Sequence, residues 1–325
     1  MTDILKVKNL HTYFHVDGED LKAVRGVSFT IGRGETLGLV GESGCGKTVT
    51  ALSLMKLVPP PGRVEDGKVF LLDRGEGAVN LLSFTEKEMR SVRGKDMAMI
   101  FQEPMTSLNP VFTIGDQVME AILVHDRIGK KAARARTIEL LEAVNIPDPE
   151  TRIKDYPHQL SGGQRQRVMI AMALSCRPGI LIADEPTTAL DVTVQARILQ
   201  LIARLRDEND MAVLLVTHDL GVVAQETDRV AVMYLGRIVE TASTDELFAR
   251  PLHPYTRALL ESVPRLGEDK ERLHTIRGNV PGLNRIPSGC SFHPRCPIAE
   301  EVCRREAPIS RDMGGGHQVE CHLVR

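Results

Sequence analysis

Gly41-Glu42-Ser43-Gly44-Cys45-Gly46-Lys47-Thr48 is the stretch of sequence that decides the fold. It fits the pattern G-x-x-x-x-G-K-[ST], in which glycines let backbone N–H groups wrap phosphates at the start of a helix. The apolar run Thr36–Val40 precedes it, and the helix-favouring stretch Lys47–Leu57 follows. The alternative, a plain glycine-rich turn, would need neither the preceding strand nor the following helix. This order of strand, glycine loop and helix predicts a P-loop.

The P-loop predicts which side chains hold a nucleoside triphosphate. Lys47 is expected to reach the β- and γ-phosphates, and the hydroxyl of Thr48 is expected to hold Mg²⁺. The remaining loop positions that line the phosphates are Gly41, Ser43, Gly44 and Gly46. Cys45 occupies a variable position of the pattern and is interpreted as a small filler.

A second acidic motif follows farther along the chain. Ile180-Leu181-Ile182-Ala183-Asp184-Glu185 is an apolar strand that ends in two carboxylates. A buried strand of this kind delivers Asp184 to the Mg²⁺ side of the site and turns Glu185 toward the γ-phosphate, where it orients or deprotonates water. The alternative interpretation is that the two carboxylates belong to a solvated turn. The P-loop that precedes them in the chain makes this interpretation less favoured.

Length and composition set the frame for these motifs. The 325 residues exceed the usual domain size of about 100 to 200 residues, which favours a large domain with an appendage. Hydrophobic residues make up 42% and the net charge is −2, so the chain is of ordinary globular type and bulk nucleic-acid binding is not expected. Apolar runs fall far short of the roughly 18 residues that span a bilayer.

The pattern along the chain predicts an α/β fold. Alternating residues near Val7 and over Val27–Ile31 indicate an antiparallel β-subdomain, and residues 104–175 read as a helical subdomain. Three continuous apolar runs predict buried strands at Gly179–Ala183, Ala212–Thr217 and Arg229–Tyr234. An amphipathic helix is predicted around residues 194–205, between the first two of these strands. We therefore predict an ATPase domain over residues 1–264 and a small, irregular, cysteine-rich domain over 265–325.

Four further segments complete a family resemblance. Leu160-Ser161-Gly162-Gly163-Gln164 resembles the signature of ABC ATPases, and Ser161 is a good N-cap for a following helix. Gln102 resembles the Q-loop glutamine, Ala189-Leu190-Asp191 the D-loop, and His218 the switch histidine. These motifs occur in the order that the family has, together with the P-loop and the acidic strand.

The resemblance implies several roles that the residues alone do not establish. In the family, the signature of one subunit (here Ser161, Gly162, Gly163 and Gln164) closes over ATP held by the P-loop of another, so a site is completed only in a head-to-tail dimer. Asp191 is implied at the nucleotide, and Gln102 is implied as an Mg²⁺ ligand besides Thr48 and Asp184. Glu185, His218 and Gln102 are the implied catalytic residues.

An aromatic residue near the N-terminus resembles the one that stacks on adenine in this family. Phe14 and its neighbour Tyr13 are the two candidates, and simple packing within the β-subdomain is the alternative for either.

Two segments resemble a branch of the family, the importers of oligopeptides, dipeptides and nickel. They are Pro104-Met105-Thr106-Ser107-Leu108-Asn109-Pro110 and Pro251-Leu252-His253-Pro254-Tyr255-Thr256. The C-terminal extension, with Pro281-Gly282 and its cysteines, resembles the domain that these importers carry. The branch implies a peripheral protein at the cytoplasmic face of the membrane, two integral-membrane permease subunits, a second ATPase subunit and, indirectly, a solute-binding protein. Di- or oligopeptides are the expected solute, and nickel or another small solute is the alternative.

Four cysteines crowd into the C-terminal extension: Cys290, Cys296, Cys303 and Cys321. Four thiolates suffice for a [4Fe-4S] cluster or a structural Zn²⁺. Zinc knuckles with closely spaced cysteines are absent, and the family resemblance favours the cluster over zinc or free thiols. The histidines that could substitute as ligands are His293, His317 and His322, although lone histidines in a polar segment are more often solvent-exposed.

A different class of protein remains as the alternative for the whole chain. Soluble ABC ATPases that act in DNA repair or translation usually carry two ATPase units, long coiled coils or zinc-finger insertions. This sequence has one P-loop and none of those insertions.

Overall fold

The computed structural model describes residues 2–72, 77–102, 108–188, 191–262 and 276–324. Its strands, in chain order, are β1 (Asp3–Val16), β2 (Glu19–Gly32), β3 (Thr36–Val40), β4 (Gly62–Leu71), β5 (Val79–Asn80), β6 (Met97–Ile100), β7 (Ile180–Asp184), β8 (Ala212–Thr217), β9 (Arg229–Tyr234), β10 (Arg237–Ser243), β11 (Arg311–Asp312) and β12 (Gln318–Val319).

The α-helices of the described residues are α1 (Lys47–Leu54), α2 (Glu86–Val92), α3 (Ile114–His125), α4 (Lys130–Ala143), α5 (Pro149–Arg152), α6 (Gly162–Ala173), α7 (Val192–Asn209), α8 (Leu220–Glu226), α9 (Thr244–Ala249), α10 (Pro254–Glu261) and α11 (Glu301–Arg305). The P-loop helix therefore ends at Leu54, three residues before the predicted end. None of these helices is both long and apolar enough to cross a bilayer.

The chain divides into two compact units. The first is formed by Met1–Ile4, Gly32–Gly34 and Ser83–Leu214, and the second by Leu5–Ile31, Glu35–Leu82 and Leu215–Arg325. The boundary falls inside β8, whose first three residues belong to the first unit and whose last three belong to the second.

The first unit carries the helices that the sequence predicted for residues 104–175. Helices α3, α4, α5 and α6 lie in the described part of that range, and Met97 of β6 pairs with Ile180 of β7 in parallel. Each residue of β7 is buried, as expected for a strand covered on both faces. Helix α7 confirms the predicted amphipathic helix, because its buried residues recur at helical spacing: Ile198, Leu199, Leu201, Ile202 and Leu205.

The second unit contains the predicted β-subdomain. Its four strands lie in the order β2-β1-β4-β5, and β4 runs antiparallel to β1 and β5. Buried residues face each other across β1 and β4, with Leu5 opposite Leu71 and Val7 opposite Val69. Such cross-strand apolar pairs are what the alternating sequence pattern encodes.

The second unit also holds the strand that leads into the P-loop. β3 pairs with β9 in parallel, with Leu39 opposite Ala231, and β9 pairs with β10 antiparallel. β10 in turn pairs with β12 of the C-terminal extension, where Glu240 lies opposite Val319. The extension thus continues a core sheet.

The C-terminal extension shares the hydrophobic core of the second unit. Phe292 is buried in the same cluster as Tyr234 and Tyr255, and Cys290 and Cys296 pack against that cluster. The separate cysteine-rich domain expected from the sequence has no core of its own in residues 276–324 comparable to this one. The predicted domain boundary near residue 265 lies outside the described residues.

Candidate functional site

The glycines of the P-loop allow a tight turn between β3 and α1. Gly46 is the N-cap of α1 with φ 106°, a conformation that side chains other than hydrogen disfavour. A Cβ atom on Gly46 would lie 2.4 Å from the carbonyl oxygen of Ala23. Only glycine therefore fits at this position of the loop.

Lys47 is held inside the loop by its own carbonyl groups. The side chain is buried, and Nζ donates hydrogen bonds to the carbonyl oxygens of Gly41 at 2.8 Å and Glu42 at 3.2 Å. The ammonium group is thereby fixed at the mouth of the loop, where the motif predicts the phosphates. Ser43 and Thr48 are exposed at the same loop.

Cys45 faces the interior of the same loop. It is buried, and burial raises the pKa of its thiol. A buried, protonated thiol fits the interpretation as a small filler.

The acidic motif lies at the end of β7 in the first unit. Asp184 is buried, and Glu185 follows it with φ 46°, a left-handed conformation that is uncommon outside glycine. The Glu185 Oε2 atom accepts hydrogen bonds from Gln102 Nε2 at 3.0 Å and from Thr188 Oγ1 at 2.8 Å. The strained backbone and the two donors fix the carboxylate in one orientation, as a residue that positions water requires.

The residues predicted to hold Mg²⁺ are divided between the units. Asp184 and Gln102 belong to the first unit, and Thr48 belongs to the second. Each supplies an oxygen, which is the ligand atom that Mg²⁺ prefers. The chemistry of the donors thus fits the ion.

The signature residues begin helix α6 as an exposed N-terminus. Ser161 is the N-cap, and its Oγ accepts from the N–H of Gln164 at 3.3 Å. Gln164 returns the interaction, because its Oε1 accepts from the N–H of Ser161 at 3.0 Å. Ser161 and Gly162 are exposed and Gly163 is half-buried, so the backbone donors of this turn are accessible to an anion.

Two remaining motif residues lie next to helix starts. Asp191 is the N-cap of α7 and accepts from the N–H of Val194 at 2.9 Å, whereas Ala189 and Leu190 lie outside the described residues. His218 follows β8 in the second unit and is exposed. The next residue, Asp219, caps α8.

The two aromatic candidates for adenine stacking lie on opposite faces of β1. Phe14 is opposite Gly62 of β4, where a Cβ atom would lie 2.6 Å from its ring. Tyr13 instead has the ammonium of Lys22 5.4 Å above its ring and a hydrogen bond to His11. Both side chains are half-buried. Because neighbouring strand residues point to opposite sides, the two are mutually exclusive candidates.

The four tail cysteines are free thiols. Cys303 and Cys321 are buried, and Cys290 and Cys296 are half-buried. Burial and, to a smaller extent, the proximity of the other three thiols together raise the pKa of Cys290 to about 11. In the part of the chain that the structure describes, however, no three Cys, His, Asp or Glu side chains are grouped as ligands of a single metal ion.

Each of the three tail histidines contacts a carbonyl or carboxylate oxygen, and their role as substitute ligands stays a prediction. His293 Nδ1 donates to the carbonyl oxygen of Cys290, and His322 Nε2 donates to that of Glu306. His317 is buried, with Nε2 2.7 Å from the carboxylate of Glu240.

The sequence reasoning missed two residues that contact the P-loop. Tyr255 accepts a hydrogen bond from the N–H of Glu42, and Arg295 forms an ion pair with the Glu42 carboxylate. Tyr255 belongs to the segment Pro251–Thr256, whose sequence indicated only a resemblance to the importer branch. Arg295 stands next to Cys296 and carried no signal of its own.

Comparison with known families agrees with these motifs. The family described as ABC transporter matches residues 24–188, and the one described as oligopeptide/dipeptide transporter, C-terminal region, matches residues 239–303. The chain belongs to the ABC transporter family. The match over residues 239–303 assigns it to the oligopeptide/dipeptide branch of these ABC ATPases.

The chain also matches curated relatives over nearly their full length. The chain is 51% identical to the dipeptide transport ATP-binding protein DppD of Bacillus subtilis, over 99% of this chain and 95% of the relative. It is 48% identical to the DppD protein of Escherichia coli, over 98% of this chain and 96% of the relative. The resemblance to an ABC ATPase of the peptide branch is therefore confirmed.

A solved ABC structure confirms the α/β ATPase fold. The dimeric structure of a post-hydrolysis state of the ATP-binding cassette MJ0796, bound to ADP and Pi, matches with a TM-score of 0.66 and 28% identity. That match covers 74% of this chain and 98% of the cassette. The cassette fold of ABC ATPases thus accounts for about three quarters of the chain.

Proposed function

We propose that this chain is the ATP-hydrolysing subunit of a membrane importer of di- or oligopeptides. The observation that carries the proposal is the full-length match to ATP-binding proteins named for dipeptide and oligopeptide transport. The relatives' names favour peptides over nickel or another small solute. They also disfavour the alternative of a soluble ABC ATPase of DNA repair or translation.

Glu185 is the proposed base or water-orienting residue. Gln102 and Thr188 support this role, since both donate a hydrogen bond to Oε2 of its carboxylate and so hold the group in one orientation. Lys47 would leave its carbonyl partners and bind the β- and γ-phosphates, and His218 would contact the γ-phosphate. Thr48, Asp184 and Gln102 would hold Mg²⁺, which neutralises phosphate charge when it is bound.

A second ATPase subunit, identical or paralogous, is the proposed partner at the nucleotide. The exposed N-terminus of α6 supports this, because Ser161 and Gly162 offer donors that an ATP molecule on another subunit could accept. Asp191 would lie at the same interface. Either Phe14 or Tyr13 would stack on the adenine of the bound nucleotide.

The permease subunits are proposed to dock on the first unit near Gln102. Val111 and Phe112 support this location, since their side chains are 70% and 53% exposed beside α3. Apolar side chains exposed together mark protein interaction sites. Contact with permeases would hold the chain at the cytoplasmic face of the membrane.

A [4Fe-4S] cluster is the proposed occupant of the four tail thiols. A single Zn²⁺ would draw four sulfurs to within about 3.8 Å of one another, given a zinc–sulfur bond near 2.3 Å. The four cysteines lie near enough to one another for each of the other three thiols to raise the pKa of Cys290. The proposal rests on this set of four cysteines, which suffices for a cubane cluster, and on the match to the C-terminal region of oligopeptide/dipeptide transporters. Its proposed role is to staple the extension, with no step in hydrolysis.

The cluster is tested by the absorbance spectrum and metal content of chain purified without oxygen. A broad band near 400 nm and about four irons per chain are expected for four-cysteine ligation. Colourless protein with one zinc per chain would replace the cluster with a structural zinc site. Protein without metal would leave free thiols.

The transport function is tested by uptake of a radiolabelled dipeptide into cells whose own copy of this chain is deleted. The wild-type chain should restore uptake, and Lys47→Ala should not, because the phosphate-binding ammonium is gone. Normal dipeptide uptake in the deletion strain, with nickel uptake lost, would transfer the proposal to nickel. Retained uptake of both solutes would reject the importer function.

A further inference from the structure

Glu42 is a P-loop residue whose groups all have partners, although the motif leaves its identity open. Its carboxylate accepts from Arg295 Nη1 at 2.7 Å and from Nη2 at 3.0 Å. Its N–H donates to the hydroxyl oxygen of Tyr255 at 2.9 Å, and its carbonyl oxygen accepts from Lys47 Nζ at 3.2 Å. Glu42 therefore links the C-terminal extension to the ammonium group that binds phosphate.

Arg295 is fixed within the C-terminal extension. Its side chain is 4% exposed, its Nε donates to the carbonyl oxygen of Arg277 at 3.0 Å, and its guanidinium lies 5.9 Å from the ring centre of Tyr234. Burial acts to lower the pKa of Arg295, but the hydrogen bonds to Glu42 outweigh it and the pKa is raised. Two-pronged arginine–carboxylate pairs of this kind are strong and directional.

Tyr255, which accepts the hydrogen bond from the Glu42 N–H, is held rigidly by its packing. It is buried, and its ring centre lies 4.7 Å from that of Tyr234 and 5.4 Å from that of Phe292 of the extension. The hydroxyl is thus held by packing of the ring. Helix α10, which carries Tyr255, begins with His253 as its N-cap, so the segment resembling the importer branch builds this contact.

We propose that Arg295 and Tyr255 are positioning residues, through which the C-terminal extension sets the conformation of the P-loop and hence the affinity for ATP. The inference rests on the proposed ATPase function. Arg295 also neutralises the Glu42 carboxylate, which would otherwise repel the phosphates of ATP. The extension would then act on nucleotide binding, beyond serving as a structural appendage.

Removal of the Arg295 charge should weaken ATP binding in a specific pattern among variants. Arg295→Gln leaves the Glu42 carboxylate unpaired, so the Kd for ATP should rise by about tenfold, within the range typical of coupling between sites. Arg295→Lys should restore part of the affinity, because it returns the charge without the two-pronged geometry. The double variant Glu42→Gln with Arg295→Gln should bind ATP more tightly than Arg295→Gln alone, since no carboxylate is left unpaired.

Arg237→Gln is the matched control. Arg237 of β10 forms the same two-pronged pair with Glu320 of the extension, at 2.9 and 3.0 Å. Arg237→Gln should remove a contact of the extension that is similar to the one lost in Arg295→Gln, but it should leave the pairing of Glu42 unchanged. Tyr255→Phe is a second, milder variant that keeps the buried ring and removes only the hydroxyl partner of the Glu42 N–H; it should raise the Kd by several-fold.

The experiment measures ATP binding to the full chain by calorimetry, with KM and kcat of the ATPase reaction determined alongside. Positioning predicts that Kd and KM rise in Arg295→Gln and Tyr255→Phe while kcat at saturating ATP stays near wild type. Unchanged Kd in both variants, or equal weakening in Arg237→Gln, would overturn the inference. Failure of the wild-type chain to bind ATP would instead overturn the proposed function.

Discussion

Gln102 donates a hydrogen bond from its side-chain amide to the carboxylate of Glu185, with 3.0 Å between Nε2 and Oε2. The two residues come from the ends of neighbouring parallel strands, β6 and β7, which pair through Met99 and Ile182. Parallel pairing brings both carboxyl ends to one edge of the sheet. A glutamine that follows one strand therefore orients the carboxylate that follows the next, which is the proposed base.

Glu185→Gln should abolish turnover while ATP remains bound. The amide has the shape of the carboxylate but cannot accept a proton from water, and loss of a general base typically costs about 100- to 10,000-fold in rate. Single-turnover hydrolysis and nucleotide binding measure the two effects separately.

Glu208→Gln on α7 is the control for that substitution, because it removes an exposed carboxylate of the same unit and should leave hydrolysis unchanged. Normal hydrolysis by Glu185→Gln would show that another group activates the water.

Gly46→Ala should destabilise the chain far more than Gly44→Ala. Both glycines have positive φ, 106° and 77°, and a left-handed conformation costs a residue with a side chain about 1–2 kcal/mol. At Gly46 the new methyl group would also lie 2.4 Å from the Ala23 carbonyl oxygen, whereas at Gly44 nothing lies within 4 Å. Urea unfolding of the two variants compares the losses, and equal losses would show that the loop relaxes around Gly46.

Local patterns were sufficient to predict the elements that carry the motifs. β8 and β9 have the predicted bounds, and β3 ends where the glycine loop begins. A buried strand needs a continuous apolar run, and a P-loop needs glycines at fixed spacing, so both are written in neighbouring residues. The family membership followed from the order of those motifs.

The packing of the C-terminal extension could not be predicted in the same way. Arg295 and Glu42 are 253 residues apart in sequence, and no local pattern relates them. The pairing of β10 with β12 is equally remote, because a two-residue strand carries no recognisable period. A stretch rich in proline, glycine and cysteine therefore suggested an independent domain, although its Phe292 completes the core of the second unit.

Ser161→Ala should reduce ATP hydrolysis more than it reduces stability. The hydroxyl caps α6, and loss of an N-cap costs about 1 kcal/mol, but the same exposed turn is proposed to contact ATP on a partner subunit. Thr85→Ala is the matched control, since Thr85 caps α2 in the same reciprocal arrangement with Glu88.

Both variants should unfold at similarly lowered urea concentrations, and only Ser161→Ala should lose ATPase activity beyond what that loss of stability explains. Equal activity in the two variants would leave Ser161 with a capping role alone.

His253 is a buried neutral imidazole that supports the segment bearing Tyr255. Its Nδ1 accepts from the N–H of Tyr255 at 3.0 Å and so caps α10. Burial lowers the pKa of His253 from 6.5 to about 3. Between these values the unfolded chain binds a proton that the folded chain excludes, so the stability due to this group is present above pH 6.5 and is lost as the pH falls.

His253→Asn should remove this pH dependence while it keeps a capping oxygen for the Tyr255 N–H. The wild-type chain should lose about 2 kcal/mol of unfolding free energy from this group between pH 7 and pH 5, because the slope approaches about 1.4 kcal/mol per pH unit below the unfolded pKa. Urea unfolding at the two pH values gives the difference between wild type and variant. Parallel pH profiles would mean that water reaches the imidazole and lets it protonate in the folded chain.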